Sequence, residues 1–158
     1  MPRGRVEPPP SSGTPLDALA AAFRARTIPH AEWTHTAHLR VGAWHVQRYG
    51  ADKTLAMLRI GIQRLNEAHG TPNSPTSGYH ETITRAYVEL LAAFLGRYLI
   101  DGSLDQILND LLASRLAHRN ALLVFYSRDY LFSAFARLAW AEPDIAPLSI
   151  GAFLSPLK

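Results

Sequence analysis

The sequence contains no cysteine, and this absence removes several kinds of chemistry at once. Disulfides, thiolate metal sites, iron–sulfur clusters and a cysteine nucleophile are all excluded. Lysine is scarce too, because only Lys53 and Lys158 occur among the 16 basic residues, and the arginines are scattered. No helix face reads as a continuous basic stripe. The formal net charge of +3 therefore does not indicate nucleic acid binding.

Long apolar runs are missing as well. No stretch reaches the roughly 18 consecutive apolar residues that indicate a membrane span, and the N-terminus lacks the apolar centre of a signal peptide. We therefore expect a cytoplasmic protein that has no membrane contact. The partner that we expect is a small-molecule substrate. Residues 1–13, rich in proline, serine and glycine, predict a disordered tail. Residues 14–158 are enough for a single domain with a real core.

Catalytic motifs with a recognised spacing are absent. The sequence has no nucleophile elbow, no glycine-rich phosphate loop and no H-E-x-x-H zinc motif. The paired E-x-x-H segments of ferritin-like di-iron bundles are absent too. Any chemistry must therefore come from side chains that the fold brings together.

The sequence does contain the helix-start and helix-stop signals of a helical bundle. Apolar residues recur at helical spacing between capping residues, glycines and prolines. This pattern predicts helices over 15–26, 35–49, from after Asp52 to about 69, 79–100, from 104 to about 114, and 128–140. Thr14, Thr34, Ser103 and Ser127 are the predicted N-caps. Residues 115–126 are ambiguous between helix and turn. The predicted fold class is all-α, an antiparallel bundle of five or six helices with a disordered N-terminal tail.

Two short stretches, 33–38 and 78–82, hold most of the histidine chemistry, and each looks like the first turn of a helix. His35 and His38 are three residues apart on one face, a spacing that can chelate one metal ion. In the second stretch, His80 is a candidate ligand and Glu81 a candidate general base or fourth ligand. Because short connections favour antiparallel neighbours, the second, fourth and sixth helices would start at one end of the bundle.

These turns together predict an active site at that end. His35, His38 and His80 would bind a divalent metal ion, which we expect to be zinc, iron, manganese or nickel, with open positions for water or substrate. His80 and Glu81 are the predicted catalytic residues. The expected function is a small metal-dependent enzyme that hydrolyses, isomerises or dehydrates a small anionic or carbonyl-bearing metabolite.

Three further residues at the same end are predicted to bind the substrate. Arg128 can hold a carboxylate or phosphate. Tyr79 belongs to the second histidine turn, and Tyr126 lies just before the sixth predicted helix. Trp33, which precedes the first histidine turn, either packs under the helix end or forms the wall of a pocket.

Two alternatives stay open. One is a metal-free enzyme that shifts a proton with a histidine–glutamate pair. The other is a non-catalytic helical module that binds a partner through the apolar tail, residues 148–154. The same tail is the feature that would support a homodimer.

Three segments of the chain resemble a family of small uncharacterised bacterial helical proteins. They are WTHTAHL from Trp33 to Leu39, GYHETIT from Gly78 to Thr84 and YSRDYLFS from Tyr126 to Ser133. The resemblance covers most of the chain and implies no activity. More distantly, Trp-Thr followed by His-Leu on one helix is similar to the DinB-like metal-binding bundles, whose site is three histidines from different helices. Those proteins carry a late H-x-x-x-H pair where this chain has only His118, so the likeness is one of architecture.

Overall fold

The computed structural model describes residues 13–98 and 103–153, and these residues form a bundle of α-helices. In chain order the helices are α1 Pro15–Ala25, α2 His35–Ala68, α3 Glu81–Tyr98, α4 Leu104–Ala113, α5 Arg128–Leu131 and α6 Ala134–Leu138. Short 3-10 turns occur at His30–Glu32, Arg115–Ala117, Ala121–Val124 and Ile150–Ala152. Within the described ranges there is no strand, so the predicted all-α class is confirmed. No helix in these ranges combines the length and the apolarity that crossing a membrane requires.

Helix α1 begins where its polar residues predict. The Thr14 hydroxyl accepts a hydrogen bond from the Asp17 amide at 3.2 Å, and the Asp17 carboxylate accepts one from the Thr14 amide at 3.0 Å. This reciprocal pair satisfies amides that every helix start leaves free. Asp17 also accepts a hydrogen bond from Trp44 Nε1 at 2.7 Å, which ties α1 to α2.

Helix α2 turns back on itself at Gly50. This residue has a φ of 77° and a ψ of 173°, a conformation that favours glycine. It divides α2 into a first arm, residues 35–49, and a second arm, residues 51–68. The Phe23 ring stacks on Trp33, just before the first arm, with centroids 5.5 Å apart, and it also lies against Gly61 in the second arm. The two arms therefore lie side by side, as the separate helices predicted on either side of Gly50.

Helix α3 packs parallel to the first arm, but it is offset along the axis. His35, at the start of α2, lies against Tyr87 with ring centroids 5.5 Å apart. Two turns later, a Cβ added to Gly42 would meet the Leu91 side chain at 2.8 Å. Tyr87 lies six residues after Glu81, where α3 begins, and this separation is about 9 Å of helix. Gly42 lies seven residues after His35, so its contact with Leu91 sets His35 level with residue 84. The two contacts together place the start of α2 level with residues 84–87 of α3 and not with His80.

The single helix predicted over 128–140 is wrong, because the segment forms the two single-turn helices α5 and α6. Ser133 lies between them, and its hydroxyl accepts a hydrogen bond from the Ala136 amide at 3.2 Å, so that it starts α6 as a new N-cap. Ser127, the predicted cap, makes no capping bond, because its hydroxyl donates to Asp144 instead. The Ser133 hydroxyl also donates to the Tyr130 carbonyl at 2.7 Å, and local bonds from a side chain to the backbone compete with helix continuation.

The remaining predicted boundaries fall partly outside the described residues. Ser103 caps α4 as predicted, with its hydroxyl accepting from the Gln106 amide at 3.3 Å. The ambiguous stretch 115–126 contains two 3-10 turns and no α-helix. The predicted tail, apart from Gly13, and the predicted end of the fourth helix at Ile100 lie outside the residues that the structure describes.

Candidate functional site

A cavity of about 380 Å³ lies between the two arms of α2 and α3. Most of its wall is apolar, and Leu39, Leu58, Ile62, Ile83, Val88 and Leu91 form that part. The polar side chains in the wall are Trp33, His35, His38, Thr84, Tyr87 and Arg119. An apolar pocket of this size with a few convergent polar groups is typical of a small-molecule site.

His38 is held in one tautomer within this wall. Its Nδ1 lies 2.7 Å from the Thr34 carbonyl oxygen, which can only accept, so Nδ1 carries the proton and Nε2 of the neutral ring holds a lone pair. The ring stacks on Trp33 with centroids 3.7 Å apart. Burial lowers the pKa of His38 to about 4, although the bond to Thr34 opposes this shift. At neutral pH the imidazole is therefore uncharged, the form that accepts a proton.

His35 lies one helical turn before His38. Burial lowers the pKa of His35 and the positive charge of Arg119 lowers it further, whereas the backbone of Ala117 raises it. Its Nε2 is buried and has no hydrogen-bond partner among the described residues. Leaving a buried polar atom unpaired costs about 1–3 kcal/mol. This nitrogen is therefore a buried polar atom that the described hydrogen bonds leave unsatisfied.

Two hydrogen-bond donors of the same wall are unpaired as well. The Trp33 indole N–H and the Tyr87 hydroxyl are buried without a partner in the described structure. An indole N–H can only donate. Burial raises the pKa of Tyr87 to about 12, so its hydroxyl keeps its proton. Of the five unpaired buried side-chain polar atoms in the described ranges, three belong to this wall, and such atoms need an explanation.

His80 does not line this cavity. Backbone groups use both of its ring nitrogens. Nδ1 accepts a hydrogen bond from the Ile83 amide at 3.1 Å, and Nε2 donates one to the Leu131 carbonyl at 2.7 Å. The ring thereby caps the start of α3 and holds the last residue of α5. Burial lowers the pKa of His80, which keeps the ring in the neutral form that both bonds require. In this conformation His80 has no nitrogen left for a metal ion or a substrate proton.

Glu81 belongs to a separate cluster with Arg59 and Tyr79. Arg59 Nε donates to one carboxylate oxygen at 2.6 Å, and the Tyr79 hydroxyl donates to the other at 2.9 Å. Burial, with the charge of Glu81, raises the pKa of Tyr79. These three residues line a second cavity of about 290 Å³, which contains neither His35 nor His38. The predicted base and one predicted substrate-binding residue therefore meet each other and not the first histidine pair.

The other two predicted substrate-binding residues lie elsewhere. Tyr126 is fully buried and its hydroxyl donates to the Ala141 carbonyl at 2.8 Å, so it acts as a core residue. Arg128 is exposed, with its guanidinium 5.9 Å from the centre of the Phe132 ring. Neither residue lines either of the two cavities described above.

The three predicted metal ligands do not converge on one point. His35 and His38 share a cavity wall, but the axial offset places His35 beside Tyr87 and not beside His80. Over residues 13–98 and 103–153, no three or more histidine, cysteine, aspartate or glutamate side chains are grouped so that they could hold a metal ion. A metal ion at the His35–His38 pair alone stays a prediction.

Sequence reasoning did not include Tyr87 and Arg119 in the site. For Tyr87 a signal exists, because Ile83, Thr84 and Tyr87 form one stripe of α3 at three- and four-residue spacing. For Arg119 the sequence gives no signal, because this residue follows a 3-10 turn in a stretch whose structure is ambiguous from the sequence.

The sequence matches no known family model, and no curated protein or solved structure is significantly similar to it.

Proposed function

We propose that this chain is a small enzyme that moves a proton at a carbon atom next to a carbonyl group, with His38 as the base. The observation that supports this proposal is the composition of one cavity wall. His38, with a lone pair on Nε2 of its neutral ring, lines a 380 Å³ space together with Trp33 and Tyr87. Trp33 and Tyr87 each carry a buried hydrogen-bond donor that has no partner among the described residues.

These groups match the needs of enolisation. The C–H bond next to the carbonyl breaks, its proton moves to Nε2 of His38, and its electron pair forms the enolate, whose charge lies on the oxygen. A base with its proton-accepting atom in the correct protonation state promotes the first event. Hydrogen-bond donors next to the carbonyl oxygen stabilise its developing charge, and in this proposal Trp33 and Tyr87 supply them. Return of a proton from His38 to the same carbon restores the carbonyl compound and completes an exchange.

The surroundings of His38 suit this role. The bond from Nδ1 to the Thr34 carbonyl and the stack on Trp33 fix the direction of the ring, and a fixed direction is what a general base requires. The depressed pKa keeps the base unprotonated at neutral pH. The same shift makes this imidazole a weaker base than a free one, so the proposal depends on its fixed position. The histidine–glutamate pair expected from the sequence is replaced in this proposal by His38 with Trp33 and Tyr87.

Hydrogen–deuterium exchange provides the test. The protein is incubated in D₂O with 4-methyl-2-oxopentanoate, its methyl ester or 4-methylpentan-2-one, and loss of the signal of the hydrogens next to the carbonyl is followed by ¹H NMR. We expect the protein to accelerate exchange of at least one probe, and the His38→Gln variant to lose about 100-fold of this rate. His30→Gln, at an exposed position outside the cavity, is the matched control and should keep the full rate.

Two results would contradict the proposal. One is a folded protein that accelerates exchange of none of the three probes. The other is acceleration that survives in full in His38→Gln.

The same assay separates this proposal from the metal-dependent enzyme expected from the sequence. The rate is measured after dialysis against a chelator and again after addition of zinc, manganese, nickel or iron(II). A rate that does not change supports proton transfer by the side chains alone. A rate that needs the metal ion and is lost in His35→Gln would support a metal ion at the histidine pair.

A further inference from the structure

We infer that the substrate is a small carboxylate with an apolar chain, and that Arg119 binds its charged group; this inference rests on the proposed function and adds the class of substrate. The wall of the cavity contains Arg119 and two histidines but no aspartate or glutamate. At neutral pH, where burial keeps both histidines uncharged, the charge in this wall is the positive one of Arg119. A wall of this kind favours a neutral or negatively charged ligand.

Arg119 differs from the arginines that stabilise the fold. Arg48, Arg59 and Arg85 each form an ion pair with an acidic side chain of this protein. Arg119 forms no ion pair or hydrogen bond with another described residue, yet its charge is close enough to lower the pKa of His35. A guanidinium without an acid beside a ligand cavity can bind a carboxylate in the bidentate geometry that it prefers.

The position of Arg119 also orders the substrate within the cavity. Arg119 is exposed, whereas Leu58 and Leu91 of the wall are buried. The carboxylate can thus stay in contact with the guanidinium and with water, which avoids the cost of burying a charge. The apolar chain then lies against the leucine and isoleucine side chains, and the carbonyl lies between the two. A branched 2-oxo acid has these three parts in this order.

The test compares an acid with its uncharged ester. The specificity constant kcat/KM for deuterium exchange is measured for 4-methyl-2-oxopentanoate and for its methyl ester. The affinity of the protein for each compound is measured by calorimetry. We expect the wild-type protein to prefer the acid by about 10-fold or more, and Arg119→Gln to remove this preference. Arg119→Lys should keep part of it, because the charge remains without the planar fork. Arg64→Gln, at an exposed position outside the cavity, should leave it unchanged.

The possible failures are distinguishable. If the wild-type protein exchanges both probes at equal rates, or if Arg119→Gln keeps the preference, the inference about the carboxylate is wrong and the proposed function stands. If the acid binds through Arg119 and no exchange occurs, the proposed function is wrong while the ligand class is supported by binding alone. If neither probe binds or exchanges, both are wrong.

Discussion

The starts of α2 and α3 are built from similar residues, but they use them in opposite ways. At the start of α3, His80 has both ring nitrogens in hydrogen bonds, and the buried Thr82 hydroxyl donates to Ala139 and accepts from Ala141, both at 2.9 Å. At the start of α2, the buried Nε2 of His35 has no partner in the described chain. The comparison shows that residue type alone does not separate a structural histidine from a candidate functional one, because the same side chain is fully paired at one helix start and partly unpaired at the other.

The largest expected effect is on the structural side of this comparison. His80→Ala removes a helix cap and leaves the buried Leu131 carbonyl without its donor, so we expect a loss of about 3 kcal/mol in the free energy of unfolding. Urea denaturation measures it. The control is His30→Ala, at an exposed position, which should change the stability by less than about 0.5 kcal/mol. Equal effects of the two substitutions on the free energy of unfolding would contradict the structural role assigned to His80.

The pH dependence of stability provides the next test, on the functional side. Burial lowers the pKa of His38 from 6.5 to about 4. At a pH between these two values, His38 is therefore protonated in the unfolded chain and neutral in the folded chain. The contribution of His38 to stability is therefore complete above pH 6.5, falls as the pH is lowered towards 4 and is constant below that. The shift corresponds to at most about 3 kcal/mol.

His38→Gln isolates this contribution from those of the other buried histidines. Thermal unfolding of both proteins between pH 7 and pH 4 should show a smaller loss for the variant, with the difference appearing below pH 6.5. If the two proteins lose stability in parallel, His38 is not held neutral by the fold.

A smaller loss is expected from Thr82→Val, which keeps the shape of the side chain and removes the hydroxyl. The Ala139 carbonyl and the Ala141 amide would each lose a partner. Because buried backbone groups without partners are costly, the free energy of unfolding should fall by about 2 kcal/mol. Thr82→Ser restores the hydroxyl and should recover part of this loss. A Thr82→Val protein as stable as the wild type would contradict the assigned hydrogen bonds.

The smallest effect has the opposite sign and sharpens the comparison. Tyr87→Phe removes a buried hydroxyl that has no partner, so the free protein should be as stable as the wild type or more stable by up to about 1 kcal/mol. The same substitution should slow deuterium exchange of the carbonyl probes if the hydroxyl donates to the enolate oxygen. Differential scanning calorimetry and the NMR assay give the two results. A clear loss of stability would mean that the hydroxyl already has a partner in the protein.

Much of the fold could be predicted from the sequence, because its signals are local. The cap at Thr14, the turn at Gly50 and the cap at Ser103 each depend on residues a few positions apart. The helix predicted over 128–140 failed at Ser133, where the chain starts a new helix. The capping bond predicted at Ser127 is absent because this hydroxyl binds Asp144, which lies 17 residues later.

The candidate site could be predicted only in part. The pair His35 and His38 follows from spacing along one helix, but the separation of this pair from His80 depends on how far α3 is shifted against α2. This shift is set by the packing of buried side chains, and no residue count along the chain contains it. The partners of His80 show the same limit, because Leu131 lies 51 positions away.

The shift between α2 and α3 also determines at which position of α3 a third imidazole would lie near His35. The ring that faces His35 across the helix pair comes from position 87, so a third histidine would have to stand there and not at position 80. Tyr87→His would present the cavity with imidazoles from two different helices. In the protein as it is, a phenol stands at the position from which a third imidazole would face His35.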